Sequence, residues 1–95
     1  MKKITYNFKD RTAVITGGAQ GFGLDIAQRF LKSGAKVIIW DIDPKLIDEV
    51  RKETNSSNLS SSIVDVSNYQ EVESEVYKIT QKSKIDILIN NAGIT

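Results

Sequence analysis

The 95-residue sequence predicts an α/β fold, the first half of a doubly wound parallel sheet in the order β-α-β-α-β-α-β, and three observations carry that prediction. Strand-like runs alternate with segments of helical periodicity along the chain. One of those runs, Lys36 to Trp40, is nearly all apolar, as expected of a strand covered on both faces of a parallel sheet. Four of the six glycines crowd into positions 17–23, at the junction of the first strand and the first helix.

Thr12 to Thr16 (TAVIT) is a short β-rich run that ends in glycines and reads as the first strand. From Gly21 to Ser33 the residues Phe22, Ile26, Ala27, Phe30 and Leu31 fall at helical spacing, and Gly34 stands where a left-handed cap would end that helix. Lys36 to Trp40 (KVIIW) is the second strand. Asp43 followed by Pro44 then starts a second helix: the carboxylate accepts orphan N–H groups, and proline at the first helical position gives up a donor that had no partner anyway. Leu46, Ile47 and Val50 form its apolar face. The polar stretch Thr54 to Ser62 reads as a loop whose last few residues lead into a third strand finishing at Ile63-Val64. Ser67 and Gln70 fit a capping box with Ser67 as N-cap, and Val72, Val76 and Ile79 carry a third helix to about Ser83. Ile85 to Ile89 (IDILI) is the fourth strand. Right-handed crossovers place these strands in the order 3-2-1-4, a Rossmann-type arrangement. The fourth strand then lies at an edge with an apolar face uncovered, which fits an incomplete domain.

Composition narrows the chemistry. Thirteen Lys+Arg balance 12 Asp+Glu, which removes the basic surplus that nucleic-acid or anionic-membrane binders concentrate on one face. With no His and no Cys, the usual zinc sites, a Ser-His-Asp triad, a cysteine nucleophile and a disulfide framework are excluded. The longest apolar run is Val37 to Trp40, too short for a membrane span or a signal peptide, and the expected location is cytoplasmic. Carboxylates such as Asp48, Glu49, Glu71, Glu73 and Glu75 are mixed with Lys and Arg and read as solvated helix faces. Trp40 and Phe22 read as core or pocket wall, not as a platform for nucleic-acid bases.

The sharpest feature is Thr16-Gly17-Gly18-Ala19-Gln20-Gly21-Phe22-Gly23. Glycine in or beside a first helical turn costs about 1 kcal/mol against alanine. Such a loop makes sense where backbone must turn tightly and approach a ligand closely, with a diphosphate held by the N–H groups and dipole of the helix N-terminus. It is not the common G-x-G-x-x-G fingerprint, because position 19 is alanine, and it is not a P-loop, because no Gly-Lys-Ser/Thr follows.

The pattern T-G-x-x-x-G-x-G directly after the first strand resembles the cofactor motif of the short-chain dehydrogenase/reductase family. That resemblance implies cofactor contacts from Gly17, Gln20, Gly21, Phe22 and Gly23. Asp41, 18 residues beyond Gly23, stands where an acidic side chain accepts hydrogen bonds from the adenosine ribose. The same carboxylate would repel a 2′-phosphate. Gln20 replaces the basic residue that NADP users of the family often carry, and Ile42 stands where an arginine would serve them, so the expected cofactor is NAD. Asp65-Val66 resembles the family's pair at the adenine amino group, although a solvated strand-end aspartate fits the spacing as well. Asn90-Asn91-Ala92-Gly93 matches its N-N-A-G element: Asn91 would steady the central sheet, while Ala92 and Gly93 let the chain pass close under the ribose.

Catalysis in this family falls to a Tyr-x-x-x-Lys pair with a Ser and an Asn. Tyr6, Tyr69 and Tyr77 are followed four positions on by Asp10, Glu73 and Gln81, so no catalytic residue is expected within these 95 residues. The resemblance implies an oxidoreductase moving hydride between NAD and a secondary alcohol or ketone, a polyol or 3-oxoacyl thioester among the candidates. It also implies that residues 1–95 are the N-terminal part of a single dinucleotide-binding Rossmann domain, and that the full-length protein is a homo-oligomer; the composition leaves no nucleic acid, membrane or metal as an expected partner. A non-catalytic nucleotide-binding or regulatory module, or the remnant of a truncated gene, is the competing expectation.

Overall fold

In the computed structural model, which describes residues 7–92, the elements in chain order are β1 (Thr12–Thr16), α1 (Gly21–Lys32), β2 (Lys36–Asp41), α2 (Pro44–Thr54), β3 (Leu59–Ile63), α3 (Tyr69–Thr80) and β4 (Ile87–Asn90). The strands form one parallel sheet in the order β3-β2-β1-β4. β1 is flanked on both sides, and all five of its residues are buried. Register sets Thr16 beside Trp40 of β2 and Asn90 of β4, so three strands end together along one edge of the sheet.

Alternation along the strands divides the core in two. Ile15, Val37 and Ile39 face α1 and α2, where they meet Ala27, Ile47 and Val50. Val14 and Trp40, with Val64 just after β3, face the other way, toward Val72, Val76 and Ile79 of α3. Fully burying a side chain such as Ile15 or Ile39 stabilises the fold by roughly 1.5–3 kcal/mol. α3 contributes no fully buried residue, whereas α1 and α2 do. The α3 side is therefore the thinner layer, and Leu88 of β4, on the same face as Val14, is 62% exposed.

Several boundaries differ from the expected ones, for identifiable reasons. α1 ends at Lys32 and Ser33 is its C-cap, with Gly34 following at φ +91°. β3 takes in Ser60, Ser61 and Ser62, the expected lead-in, through the register that pairs them with Ile38, Ile39 and Trp40, but it ends at Ile63, one residue before the expected Val64. The α3 cap is Asn68, not Ser67: the Asn68 Oδ1 accepts from the N–H groups of Gln70 and Glu71 at 3.1 and 3.3 Å. Ser67 is occupied elsewhere, its hydroxyl donating to Asp65 Oδ1 at 2.6 Å. α3 stops at Thr80, whose hydroxyl turns back to the carbonyls of Val76 and Tyr77.

β4 starts two residues later than its apolar pattern suggests, since Asp86 closes the bottom of the sheet. Its N–H donates to the Thr12 carbonyl at 3.0 Å, its Oδ2 accepts the Thr12 N–H at 2.9 Å, and Arg11 lies 3.4 Å from Oδ1. The Thr12 N–H holds the Asp86 carboxyl below its ordinary value; burial opposes this, and Arg11 and Lys84 add attraction. A carboxyl depressed in the folded state stabilises that state above the unfolded-chain value of about 3.9 and loses the contribution as pH falls through the folded value. Asp86→Asn is therefore expected to be less stable than the parent protein at neutral pH in urea unfolding, with the gap narrowing as the solution is acidified below about pH 4. A gap that stays constant through the acid range would contradict this.

Candidate cofactor site

The glycine-rich loop hangs from the end of β2. The Gly17 and Gly18 N–H groups donate to the Trp40 carbonyl at 2.7 and 3.3 Å, and the Ala19 N–H donates to Asp41 Oδ2 at 3.2 Å. Three successive donors of the loop are thus used inside the fold. Gly21, at φ +58° with nothing near its missing Cβ, then turns the chain into α1, and it is the backbone angle alone that calls for glycine there. The N-cap of α1 is Gln20, whose side chain makes no capping bond, and no acidic residue lies in the first turn. By contrast, Asp43 caps α2 and Asn68 caps α3. The N–H groups of Gly21, Phe22 and Gly23 are consequently the first-turn donors that no side chain satisfies, at the positive end of the helix dipole.

The end of β4 closes on the same loop. Thr16 Oγ1 accepts from the Asn91 and Ala92 N–H groups, each at 2.9 Å, and lies 3.1 Å from Asn90 Oδ1. Asn91 Nδ2 donates to the Gly17 carbonyl at 3.2 Å. Gly23 sits directly beneath this junction: a Cβ there would collide with the Gly17 carbonyl oxygen and stand 2.7 Å from Asn91 Nδ2. Loop, helix and β4 end therefore pack as one unit with no room for a side chain between them.

Above this unit opens a cleft of about 520 Å³. Gly17, Gln20, Gly21, Phe22, Asp41, Ile42, Asp65, Val66, Asn91 and Ala92 line it, so the sequence-derived residues from four separate strand ends meet in one place. Gly23 lies below the wall, and Gly93 falls outside the described residues. Trp40, read from the sequence as core or pocket wall, also lines the cleft; sequence reasoning missed Val64, likewise in the wall, and Thr16, which joins the two halves. Thr16 could have been found, because it opens the glycine motif and its register partner Asn90 opens the N-N-A-G element. Trp40 is 3% exposed, and its indole Nε1 is the buried side-chain nitrogen left without an acceptor among the described residues.

The cleft has three chemical regions. The uncapped start of α1 can hold an anionic group through backbone N–H donors. Asp41, 9% exposed, presents acceptors for hydroxyl groups at the end of β2. Asp65 does the same after β3, where the Ser67 hydroxyl and then the Ser67 N–H lower its carboxyl below the usual range. Phe22, Ile42 and Val66 are exposed apolar side chains on the cleft wall, suited to flat rings. No group of three or more metal-ligating side chains occurs among the described residues. Tyr69 and Tyr77 are exposed on α3 and do not line the cleft. No helix among the described residues is long and apolar enough to cross a membrane.

Comparison with known proteins places this geometry in context. A family model described as short chain dehydrogenase matches residues 11–95. A 3beta-hydroxysteroid dehydrogenase of Eggerthella lenta is 41% identical over 87 residues, covering 88% of this chain and 34% of that protein. A 3-oxoacyl-(acyl-carrier-protein) reductase of Chlamydia trachomatis is 36% identical over 90 residues, covering 90% and 36%. Among solved structures, a 2-keto-3-deoxy-D-gluconate dehydrogenase from Streptococcus agalactiae superposes with a TM-score of 0.84 at 32% identity, over 96% of this chain and 35% of that one. A Pseudomonas aeruginosa RhlG/NADP active-site complex gives 0.83 at 28% identity, over 95% and 37%. The chain thus spans about a third of the length of the relatives it matches.

Thr16→Val keeps the shape of a fully buried side chain and removes the acceptor shared by Asn91 and Ala92. Both bonds are part-buried, so each N–H left unpaired costs roughly 1–2 kcal/mol, the lower part of the range for buried donors, and a loss of about 2–4 kcal/mol is expected in denaturant unfolding. Thr16→Ser should recover most of it, and equal losses in both variants would refute the role given to Oγ1.

Proposed function

This chain belongs to the short-chain dehydrogenase family, and from that premise we propose that it supplies the cofactor-binding part of an NAD-dependent oxidoreductase acting on a secondary alcohol or ketone. The observation that carries the choice of NAD is Asp41, a carboxylate lining the cleft at the end of β2 with Gln20 and Ile42 as its neighbours there. A ribose diol donates hydrogen bonds to such a carboxylate, each worth roughly 1.5–3 kcal/mol. A 2′-phosphate in the same place would meet like charge, with no cationic side chain among the cleft residues to offset it. The adenine ring would lie against Ile42 and Val66 with Asp65 at its amino edge, and the diphosphate at the N–H groups of Gly21 to Gly23. Asn91, Ala92 and Gly93 would border the nicotinamide ribose. A nicotinamide cofactor bound there supplies the hydride acceptor or donor of the reaction. The chain's own residues bind and orient it, and the uncapped, acid-free start of α1 is what suits them to a dianionic group.

The catalytic pair is assigned to sequence beyond this chain, as a Tyr-x-x-x-Lys in which the phenolate is the acid/base and the lysine lowers its pKa. Relatives named for a hydroxysteroid, a 3-oxoacyl thioester and a sugar acid support a substrate from that range, and a homo-oligomer is proposed as the working assembly.

Calorimetric titration of the intact protein tests the cofactor choice: NAD is expected to bind at least about tenfold more tightly than NADP, a difference of about 1.4 kcal/mol. Tighter binding of NADP would overturn it. Replacing the tyrosine of the downstream pair by phenylalanine should leave NAD affinity within about twofold while turnover falls by roughly 100-fold or more. An intact protein that binds NAD but contains no such pair would favour a non-catalytic nucleotide-binding module.

A further inference from the structure

Both oxygens of the Asp41 carboxylate are already bonded within the protein. Oδ2 accepts the Ala19 N–H at 3.2 Å, and Oδ1 accepts the Asp43 N–H at 3.1 Å. The first bond ties the glycine-rich loop to the end of β2, next to the two bonds that Gly17 and Gly18 make to the Trp40 carbonyl. The second ties the start of α2 to the same point, one residue before Pro44 and beside the Asp43 cap. Ala19 is 3% exposed and Asp41 9%, so water does not freely replace the first bond, while the second is part-buried.

We infer that Asp41 is a positioning residue for the phosphate-binding loop as well as a reader of the ribose, so that its replacement alone cannot convert the site to NADP. A carboxylate offers about four lone-pair positions, and one on each oxygen remains for a ribose hydroxyl after the two backbone bonds. The two duties are therefore compatible in a single side chain. They separate on substitution. Removing the carboxylate eliminates the charge that disfavours a 2′-phosphate, and it also frees the Ala19 N–H and lets the loop that presents the α1 N-terminus move. If Asp41 only repelled phosphate, NADP would bind more tightly to Asp41→Ala. With the brace, both cofactors bind more weakly, because the diphosphate site they share has lost its support.

Amide hydrogen exchange on the ligand-free intact protein tests the brace without any cofactor, and titrations with NAD and NADP test its consequence. In Asp41→Ala, exchange at the Ala19 and Asp43 amides should accelerate by about tenfold or more while the β1 amides keep their protection. Affinity for both cofactors should fall, with no gain for NADP. Asp41→Asn keeps one carbonyl oxygen and no charge, so one of the two amides should stay protected and the other should not. This variant carries the test if the alanine form does not fold. Parental protection at both amides in either variant, or NADP binding strengthened in Asp41→Ala, would overturn the inference. The cofactor titrations also rest on the NAD reading above: a parent protein that binds neither cofactor would end that reading while leaving the exchange result to decide the brace.

Discussion

The structure of the cleft depends on how the chain uses the end of β2. β1 ends at Thr16, opposite Trp40, one residue short of the end of β2, so the Trp40 carbonyl and the Asp41 carboxylate stand where the pairing with β1 runs out. They accept three successive N–H groups from Gly17, Gly18 and Ala19. Those three bonds tie the loop to β2, and the donors that remain beyond it, from Gly21 to Gly23, belong to the first turn of the helix. Thr16 performs the matching task on the other side by accepting the N–H groups of Asn91 and Ala92. The cleft is thus framed by backbone whose own polar groups are satisfied, with one helix end left open.

That open end is where local stability has been given up. α2 and α3 each carry a side-chain cap, a feature usually worth about 1 kcal/mol, and α1 has none. α1 also places glycine at its first and third positions, where alanine would stabilise the helix, because Gly21 needs a positive φ and Gly23 lies against the Gly17 carbonyl. A sequence optimised only for folding would not make these choices. Local rules broken together at one helix start mark the place where a ligand is expected to complete the structure.

Much of this was legible in the sequence. Strand order and the roles of Asp43 and Pro44 follow from periodicity, capping chemistry and crossover handedness, and the family resemblance implied that the glycine loop, Asp41, Asp65 and the Asn91-Ala92 turn serve one site. What was not legible depends on partners distant in sequence. Where in the polar stretch β3 begins is set by its pairing with β2, which starts at Leu59 beside Val37. Ser67 loses the α3 cap to Asn68 because Asp65 takes its hydroxyl. Asp86 is drawn out of the apolar β4 pattern by Thr12, 74 positions earlier. The Ala19 and Asp43 bonds to Asp41 were invisible for the same reason: spacing marks an acidic residue at a strand end but not which backbone donors it already holds.

A crystal structure of the intact protein grown with NAD tests the central claim most directly. The account predicts a dinucleotide across the C-terminal edge of the sheet, with its diphosphate at the N–H groups of Gly21 to Gly23, its adenosine ribose on Asp41, and the Gly17 to Ala19 bonds to β2 unbroken. A cofactor bound elsewhere, or a loop that must leave Trp40 and Asp41 to reach the diphosphate, would contradict it.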